Sequence, residues 1–151
     1  MRWTEYFRNL AHQVKLKSKD ERTQIGAIIV GKDREIVSTG YNSFPRGLND
    51  SIKERQERPE KYYWFEHAER NAIYNAARIG VSTKETTMYL SCGIPCADCA
   101  RGIINAGITR IFCERSDVTK GEHWGESQER SYDMFIEADV KICFYDEPYH
   151  V

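Results

Sequence analysis

Trp3, Phe7, Leu10, Ala11 and Val14 recur at steps of four, three, one and three, which puts them on one face of a helix with the charged residues opposite. The pattern fades at Lys15-Leu16-Lys17-Ser18-Lys19-Asp20. Ile25-Gly26-Ala27-Ile28-Ile29-Val30 is almost wholly apolar and β-branched, as a strand covered on both faces would be. Turn residues Gly31 to Glu35 lead into a second strand, Ile36 to Tyr41, and so short a link predicts an antiparallel hairpin. From Asn42 to Phe65 the chain is polar and punctuated by Pro45, Gly47 and Pro59; in small domains such long loops are functional or mobile. Ala68, Ala72, Ile73, Ala76 and Ala77 predict a helix from about His67 to Ile79, stopped by Gly80. A strand follows at Thr86 to Leu90. Pro95 then opens a helix through Ala106, with Gly107 as its terminator. Ile108 to Cys113 reads as a strand, Glu126 to Ala138 as a weak helix, and Val140 to Tyr145 as the last strand.

The resulting order is α-β-β-α-β-α-β-α-β. Strands separated by single helices imply a largely parallel sheet with helices on both faces, and the hairpin at one edge makes the sheet mixed. The expected class is therefore α/β, with five strands between helical layers. The 151 residues are enough for one domain with its own core and too few for two ordinary ones, so 1–151 is read as a single domain.

Charge and cysteine content narrow the function. Lys plus Arg number 22 against 23 Asp plus Glu, a net charge of -1, which argues against binding a long nucleic acid through many phosphates. No apolar run approaches the roughly 20 residues of a membrane span, and no signal peptide is apparent, so the expected location is cytoplasmic. Cysteine is odd in number, and Cys92, Cys96 and Cys99 crowd together, which favours a reduced thiol or metal site over a disulfide scaffold.

The chemistry concentrates in two short stretches. His67-Ala68-Glu69 stands just before one predicted helix, and Pro95-Cys96-Ala97-Asp98-Cys99 opens the next. Thiolates three residues apart lie on one side of a helical turn, and a neutral imidazole from another helix completes a set that Zn2+ accepts. With no obvious fourth protein ligand, that position falls to water, the catalytic rather than the structural arrangement. The two thiolates cancel the metal's charge, so bound hydroxide leaves a surplus negative charge that helix N-termini can support. His67 and Glu69 would be about 200° apart on a helix, so both approach one ion only off the helix end. That leaves Glu69 beside the water, suited to moving its proton. A C-x-x-C alone would equally suit a redox pair or half of a structural zinc site. The full H-x-E…P-C-x-x-C pattern is that of the zinc deaminases, with Glu as general acid/base.

The chain also resembles the deoxycytidylate (dCMP) deaminases over most of residues 5 to 115. The matching stretches are Ser18-Lys19-Asp20…Thr23-Gln24-Ile25-Gly26-Ala27, Gly40-Tyr41-Asn42…Pro45-Arg46-Gly47, His67-Ala68-Glu69-Arg70-Asn71-Ala72-Ile73, Pro95-Cys96…Cys99-Ala100 and Ile103-Ile104…Ala106-Gly107-Ile108. This resemblance implies the three-layer α/β/α cytidine deaminase-like fold, Zn2+ held by His67, Cys96 and Cys99, and Glu69 as proton shuttle. It implies hydrolytic deamination of dCMP, or of a C5-modified dCMP, to dUMP and ammonia, with hydroxide at the zinc attacking C4. Asn42 matches the family's sugar-contacting asparagine, and the backbone around Ala68 is a contact for the polar edge of the base. Arg22, Arg46 and Arg115 are phosphate candidates at the pocket rim. Read as residues alone, Asn42 equally suits an ordinary turn, and each arginine suits a solvated surface better than a phosphate.

Many relatives are hexamers switched by dCTP and dTTP with Mg2+, so a homo-oligomer with nucleotide effectors is implied. The Gly40 to Gly47 loop resembles the segment shaping that effector site, although Ser43 stands where the family often has Gly. The Leu90 to Ile94 loop is about one residue longer than in many relatives, which bears on preference at cytosine C5. Cys92 suits a small packed thiol better than a spare metal ligand, Cys113 and Cys143 read as core, and Tyr62-Tyr63-Trp64-Phe65 as core or a subunit contact. Competing readings are a zinc deaminase of a free nucleoside, of another cytosine nucleotide or of a base in RNA, and a non-catalytic zinc-binding module.

Overall fold

The apolar runs fold into the elements their spacing predicts, with ends shifted by a residue or two. The structure, a computed structural model, describes residues 1–115 and 125–148. In chain order the elements are α1 (Trp3–Val14), β1 (Gly26–Val30), β2 (Ile36–Tyr41), α2 (Lys61–Trp64), α3 (Ala68–Ile79), β3 (Thr87–Leu90), α4 (Ala97–Asn105), β4 (Arg110–Cys113), α5 (Glu126–Glu137) and β5 (Lys141–Phe144). Short 3₁₀ turns lie at Lys15–Lys17 and Lys53–Gln56.

The strands form one sheet in the order β2-β1-β3-β4-β5. Here the expectation of a largely parallel sheet needs correction. β1 runs antiparallel to both β2 and β3, while β3-β4 and β4-β5 are parallel, so only half of the neighbouring pairs are parallel. The reason is that the hairpin turns its second strand outward. β2 takes the edge, and the chain then crosses β1 through α3 to add β3 on the far side.

Alternation along the strands sorts side chains into two cores. Ala27 and Ile29 of β1, with Met88, Leu90, Ile111 and Cys113, pack beneath Ala68 and Ala72 of α3, Ile103 of α4 and Phe135 of α5. On the opposite face, Phe7 and Ala11 of α1 cover Ile28, Val30, Tyr89 and Phe112. The rings of Phe7, Tyr89 and Phe112 follow one another at 4.9 and 4.8 Å. This is the three-layer α/β/α arrangement, and β1 is buried along its whole length, as its unbroken apolar run required.

The edge strand β2 is covered rather than left open. Asn75 Nδ2 donates to the Thr39 carbonyl at 2.8 Å and Asn71 Nδ2 to the Tyr41 carbonyl at 2.9 Å, so α3 satisfies acceptors that a sheet edge would otherwise present. Asn75→Ala should therefore cost about 1 kcal/mol in a urea unfolding experiment, the worth of one such bond. An unchanged midpoint would show that water replaces the amide without loss.

The segment from Asn42 to Phe65 carries more structure than its polarity suggested, namely the 3₁₀ turn and α2. Its aromatic run is not core throughout. Tyr62 and Tyr63 are 67% and 79% exposed, whereas Trp64 lies 3.7 Å from the Arg55 guanidinium and Phe65 packs on Phe44 at 4.3 Å. The run occupies one short helix, and a single turn cannot turn four consecutive side chains inward. Among the described residues, no helix is long and apolar enough to cross a membrane.

Candidate active site

Two chain entries at the same end of the sheet build the site. After β2, Ser43 and Glu66 pair as an isolated antiparallel bridge, Ser43 N–H to Glu66 O at 3.1 Å and Glu66 N–H to Ser43 O at 2.8 Å. That bridge delivers His67 in extended conformation to the N-cap of α3. Cys96 is likewise the extended N-cap of α4, so the helix begins at Ala97 rather than at Pro95. The Ala97 N–H, a first-turn donor with no partner inside the helix, donates instead to Ser127 Oγ of α5 at 2.8 Å.

His67 Nδ1 lies 3.5 Å from Cys96 Sγ and 3.4 Å from Cys99 Sγ, and the three ligand atoms all fall within 4.8 Å of one another. A tetrahedral zinc with ordinary Zn–S and Zn–N bonds needs sulfur–nitrogen edges of about 3.5 Å. The donor set therefore fits zinc in both chemistry and spacing. Exposure is graded across it, with His67 exposed, Cys96 intermediate and Cys99 buried, so one side opens to solvent. Cys92 is outside this group; it packs against the core, and burial pushes its thiol well above the usual range.

The electrostatics set the two sulfurs apart, one favoured as the thiolate and the other as the thiol. A hydrogen bond from Cys99, helped by His67, pulls the Cys96 thiol down to about 4, while the same contact together with burial drives Cys99 upward. The contact with Cys96 raises His67. Glu69 occupies the first turn of α3 and is only 3% exposed. Burial pushes its carboxyl upward, with His67 and Cys96 among the charges acting on it. Its Oε1 is buried without a hydrogen-bond partner, a cost that native structures rarely leave uncompensated outside functional sites. His67 at the cap and Glu69 in the first turn both stand at the N-terminal end of α3.

Reading the sequence alone missed Arg70 and Glu66. Arg70 Nη2 pairs with Glu66 Oε1 at 2.7 Å, and its stem lies alongside Gly102, one turn beyond Cys99. Although burial opposes it, Cys99, Glu66 and Cys96 together raise the Arg70 guanidinium, which supplies positive charge beside the sulfurs. The signal that could have found it is its position one helical turn after His67.

The substrate candidates are dispersed. Asn42 is buried; its Oδ1 accepts the Ile25 N–H at 2.8 Å, and its Nδ2 donates to Thr23 O at 2.7 Å and Asp20 Oδ2 at 3.2 Å. Ala68 is fully buried at the start of α3, and Arg22 is exposed on the 18–24 loop. Arg46 donates to Asn75 Oδ1 at 2.8 Å and lines a cavity of about 510 Å³ with Lys17, Lys19, Tyr74 and Arg78. None of the three ligand residues lines that cavity. Arg115 is paired with Asp146 at 2.9 Å and Glu147 at 3.4 Å and lies over the Phe144 ring.

A three-layer fold presenting a His/Cys/Cys triangle at two helix N-termini, with a buried carboxyl beside it, defines a zinc-dependent hydrolase of the deaminase class. Comparison with known proteins agrees. Residues 1–115 match the model of the cytidine and deoxycytidylate deaminase zinc-binding region. An uncharacterised deaminase in the luxG 3' region of Aliivibrio fischeri is 37% identical over 143 residues, 95% of this chain and 93% of that protein. Human deoxycytidylate deaminase is 37% identical over 117 residues, 74% of this chain and 64% of its own length. The fold is shared with the dCMP deaminase of cyanophage S-TIM5 (TM-score 0.73, 21% identity, 93% of this chain and 95% of that one), a protein also solved with dCMP and dUMP. The chain belongs to the cytidine and deoxycytidylate deaminase family.

Proposed function

We propose that the chain hydrolyses dCMP to dUMP and ammonia. The observation that carries this reading is the buried Glu69 carboxyl, its Oε1 unpartnered, together with the His67–Cys96–Cys99 triangle. The choice of dCMP rests on the human relative and on the ligands of the cyanophage protein. His67, Cys96 and Cys99 would hold zinc, which when bound would supply a water of lowered pKa. Glu69 accepts a proton from that water and delivers it to N3 of the cytosine as the C4–O bond forms. It then takes the remaining hydroxyl proton to the departing amino group, so that the C4–N bond breaks and ammonia leaves. Burial suits a carboxyl that must hold a proton between these two transfers.

In this reading the sugar is assigned to the end of β2 at Asn42 and the base to the α3 N-terminus at Ala68, while Arg22, Arg46 and Arg115 are the candidates for phosphate. Effector binding of dCTP or dTTP with Mg2+ belongs to the cavity beside the Gly40–Gly47 loop, where Lys17, Lys19, Arg46 and Arg78 provide cationic walls. The same reading takes residues 1–151 as one deaminase domain, cytoplasmic, working as a homo-oligomer.

Ammonia release from dCMP, 5-methyl-dCMP and deoxycytidine, with and without dCTP and dTTP, tests this. A site built to hold the phosphate should favour dCMP over deoxycytidine in kcat/KM by about a hundredfold or more. Equal turnover of the two would remove phosphate recognition, and no ammonia from any of them would remove the reading itself.

A further inference from the structure

The long segment between β2 and α3 is fastened to the 18–24 loop at several points. Lys19 Nζ meets Asp50 Oδ2 at 2.5 Å, Gln56 Nε2 donates to Lys19 O at 3.0 Å, and Lys61 Nζ reaches both carboxylate oxygens of Asp20 at 2.9 and 2.8 Å. The last contact differs from the others in kind. The side chains of Asp20 and Lys61 are only 4% and 19% exposed, so little solvent screens the pair.

Asp20 joins this outer segment to the interior. Its Oδ1 accepts the N–H groups of Arg22 at 2.9 Å and Thr23 at 3.2 Å, and its Oδ2 accepts from Asn42 Nδ2. Ser18 Oγ donates to the Asn42 carbonyl at 2.7 Å, and Asn42 in turn holds the Ile25 N–H, one residue before β1. The start of β1 is tied to the loop after β3 through Gly26 N–H to Ser91 Oγ at 2.8 Å and Ser91 N–H to Gly26 O at 3.0 Å. That loop leads to Cys96. The 18–24 loop, Asn42 and the residues of the His67–Cys96–Cys99 triangle therefore share one end of the sheet.

We propose that Lys61 is a positioning residue for substrate: through Asp20 it holds the backbone of residues 20–24 and the amide of Asn42 in the geometry that binds the sugar-phosphate end of the nucleotide. This rests on the deaminase reading above and makes the polar segment part of substrate recognition. Without the ammonium, a buried carboxylate is left uncompensated, and it relaxes toward water. The amides of Arg22 and Thr23 and the Asn42 side chain then lose their common acceptor. Glu69 and the metal ligands are not in that network, so binding suffers while the chemical step does not.

The test is steady-state ammonia release from dCMP by the full chain with Lys61→Met, Lys61→Arg, Asp20→Asn and the Asp20→Asn/Lys61→Met double variant, with zinc content measured on each. Lys61→Met should raise KM about tenfold with kcat within about twofold and zinc unchanged. Lys61→Arg should stay within about threefold of wild type, because the pair is kept. The double variant should fall short of the product of the two single effects, as expected for residues acting on each other. An unchanged KM in Lys61→Met, additive effects, or parallel loss of kcat and zinc would each overturn the proposal. Should Lys61→Met not fold, amide hydrogen exchange on the wild-type chain decides. Adding dUMP should protect both 18–24 and 53–64, and protection confined to 18–24 would overturn it. Failure of the wild type to deaminate dCMP would instead defeat the functional reading.

Discussion

Glu69→Gln should remain folded and zinc-loaded while its kcat for dCMP falls by about three orders of magnitude, the scale of a lost general acid/base. The amide has the volume of the carboxyl, so the buried position stays filled, and the three ligand atoms belong to other residues. What disappears is the capacity to accept a proton and give it back. Oε1 has no hydrogen-bond partner in the structure, and the amide keeps a carbonyl oxygen to accept the backbone hydrogen bond, so stability should stay within about 1 kcal/mol of wild type. Metal content by elemental analysis and ammonia release by a coupled assay separate the two expectations. Turnover like wild type would eliminate the catalytic role, and a zinc-free variant would show that the carboxyl is needed to hold the metal.

Gly40→Ala should have an effect of similar size by a different route. A β-carbon at Gly40 would overlap the Ala72 backbone nitrogen and the Ala68 carbonyl oxygen, so α3 itself must move. The obstacle is backbone on both counts, with no flexible side chain to yield. Overpacking of this kind costs about 3 kcal/mol or more. The displaced helix begins at the His67 cap and carries Glu69 in its first turn, so its movement misplaces ligand and carboxyl together. A shift of about 1 Å at a reacting group is enough for a hundredfold loss of activity. Urea unfolding, zinc stoichiometry and ammonia release should all change. Gly102→Ala is the control. It sits inside α4, where an added β-carbon meets the Arg70 stem at an ordinary 3.6 Å, and it should be neutral or stabilising by up to about 1 kcal/mol. Equal behaviour of the two variants would show that close approach at Gly40 is not the controlling feature.

The legible parts of the chain were those whose signal is short in range. Phe7 and Ala11, a turn apart, face inward as their spacing required, and Gly80 takes the left-handed conformation that ends α3. Cys96 and Cys99 converge because three residues make nearly one turn. His67 caps α3 and Glu69 stands in its first turn, so both lie at the helix end that their angular separation singled out. The order of the strands was less legible. Periodicity along Ile36 to Tyr41 is the same whether that strand lies at an edge or inside, and only packing of α3 over β2 sends β3 to the other side of β1.

Residue type and local spacing alone thus determined the elements, the donor chemistry of His67, Cys96 and Cys99, and the acid/base candidate. Burial of Glu69 without a partner, the Arg70–Glu66 pair beside the sulfurs, and the Lys61–Asp20 contact across 41 residues were decided only by the tertiary structure. The physical reason is one of range. Helical and strand geometry fixes neighbours within a few residues, whereas solvent exclusion and the pairing of distant charges depend on which surfaces the sheet brings together.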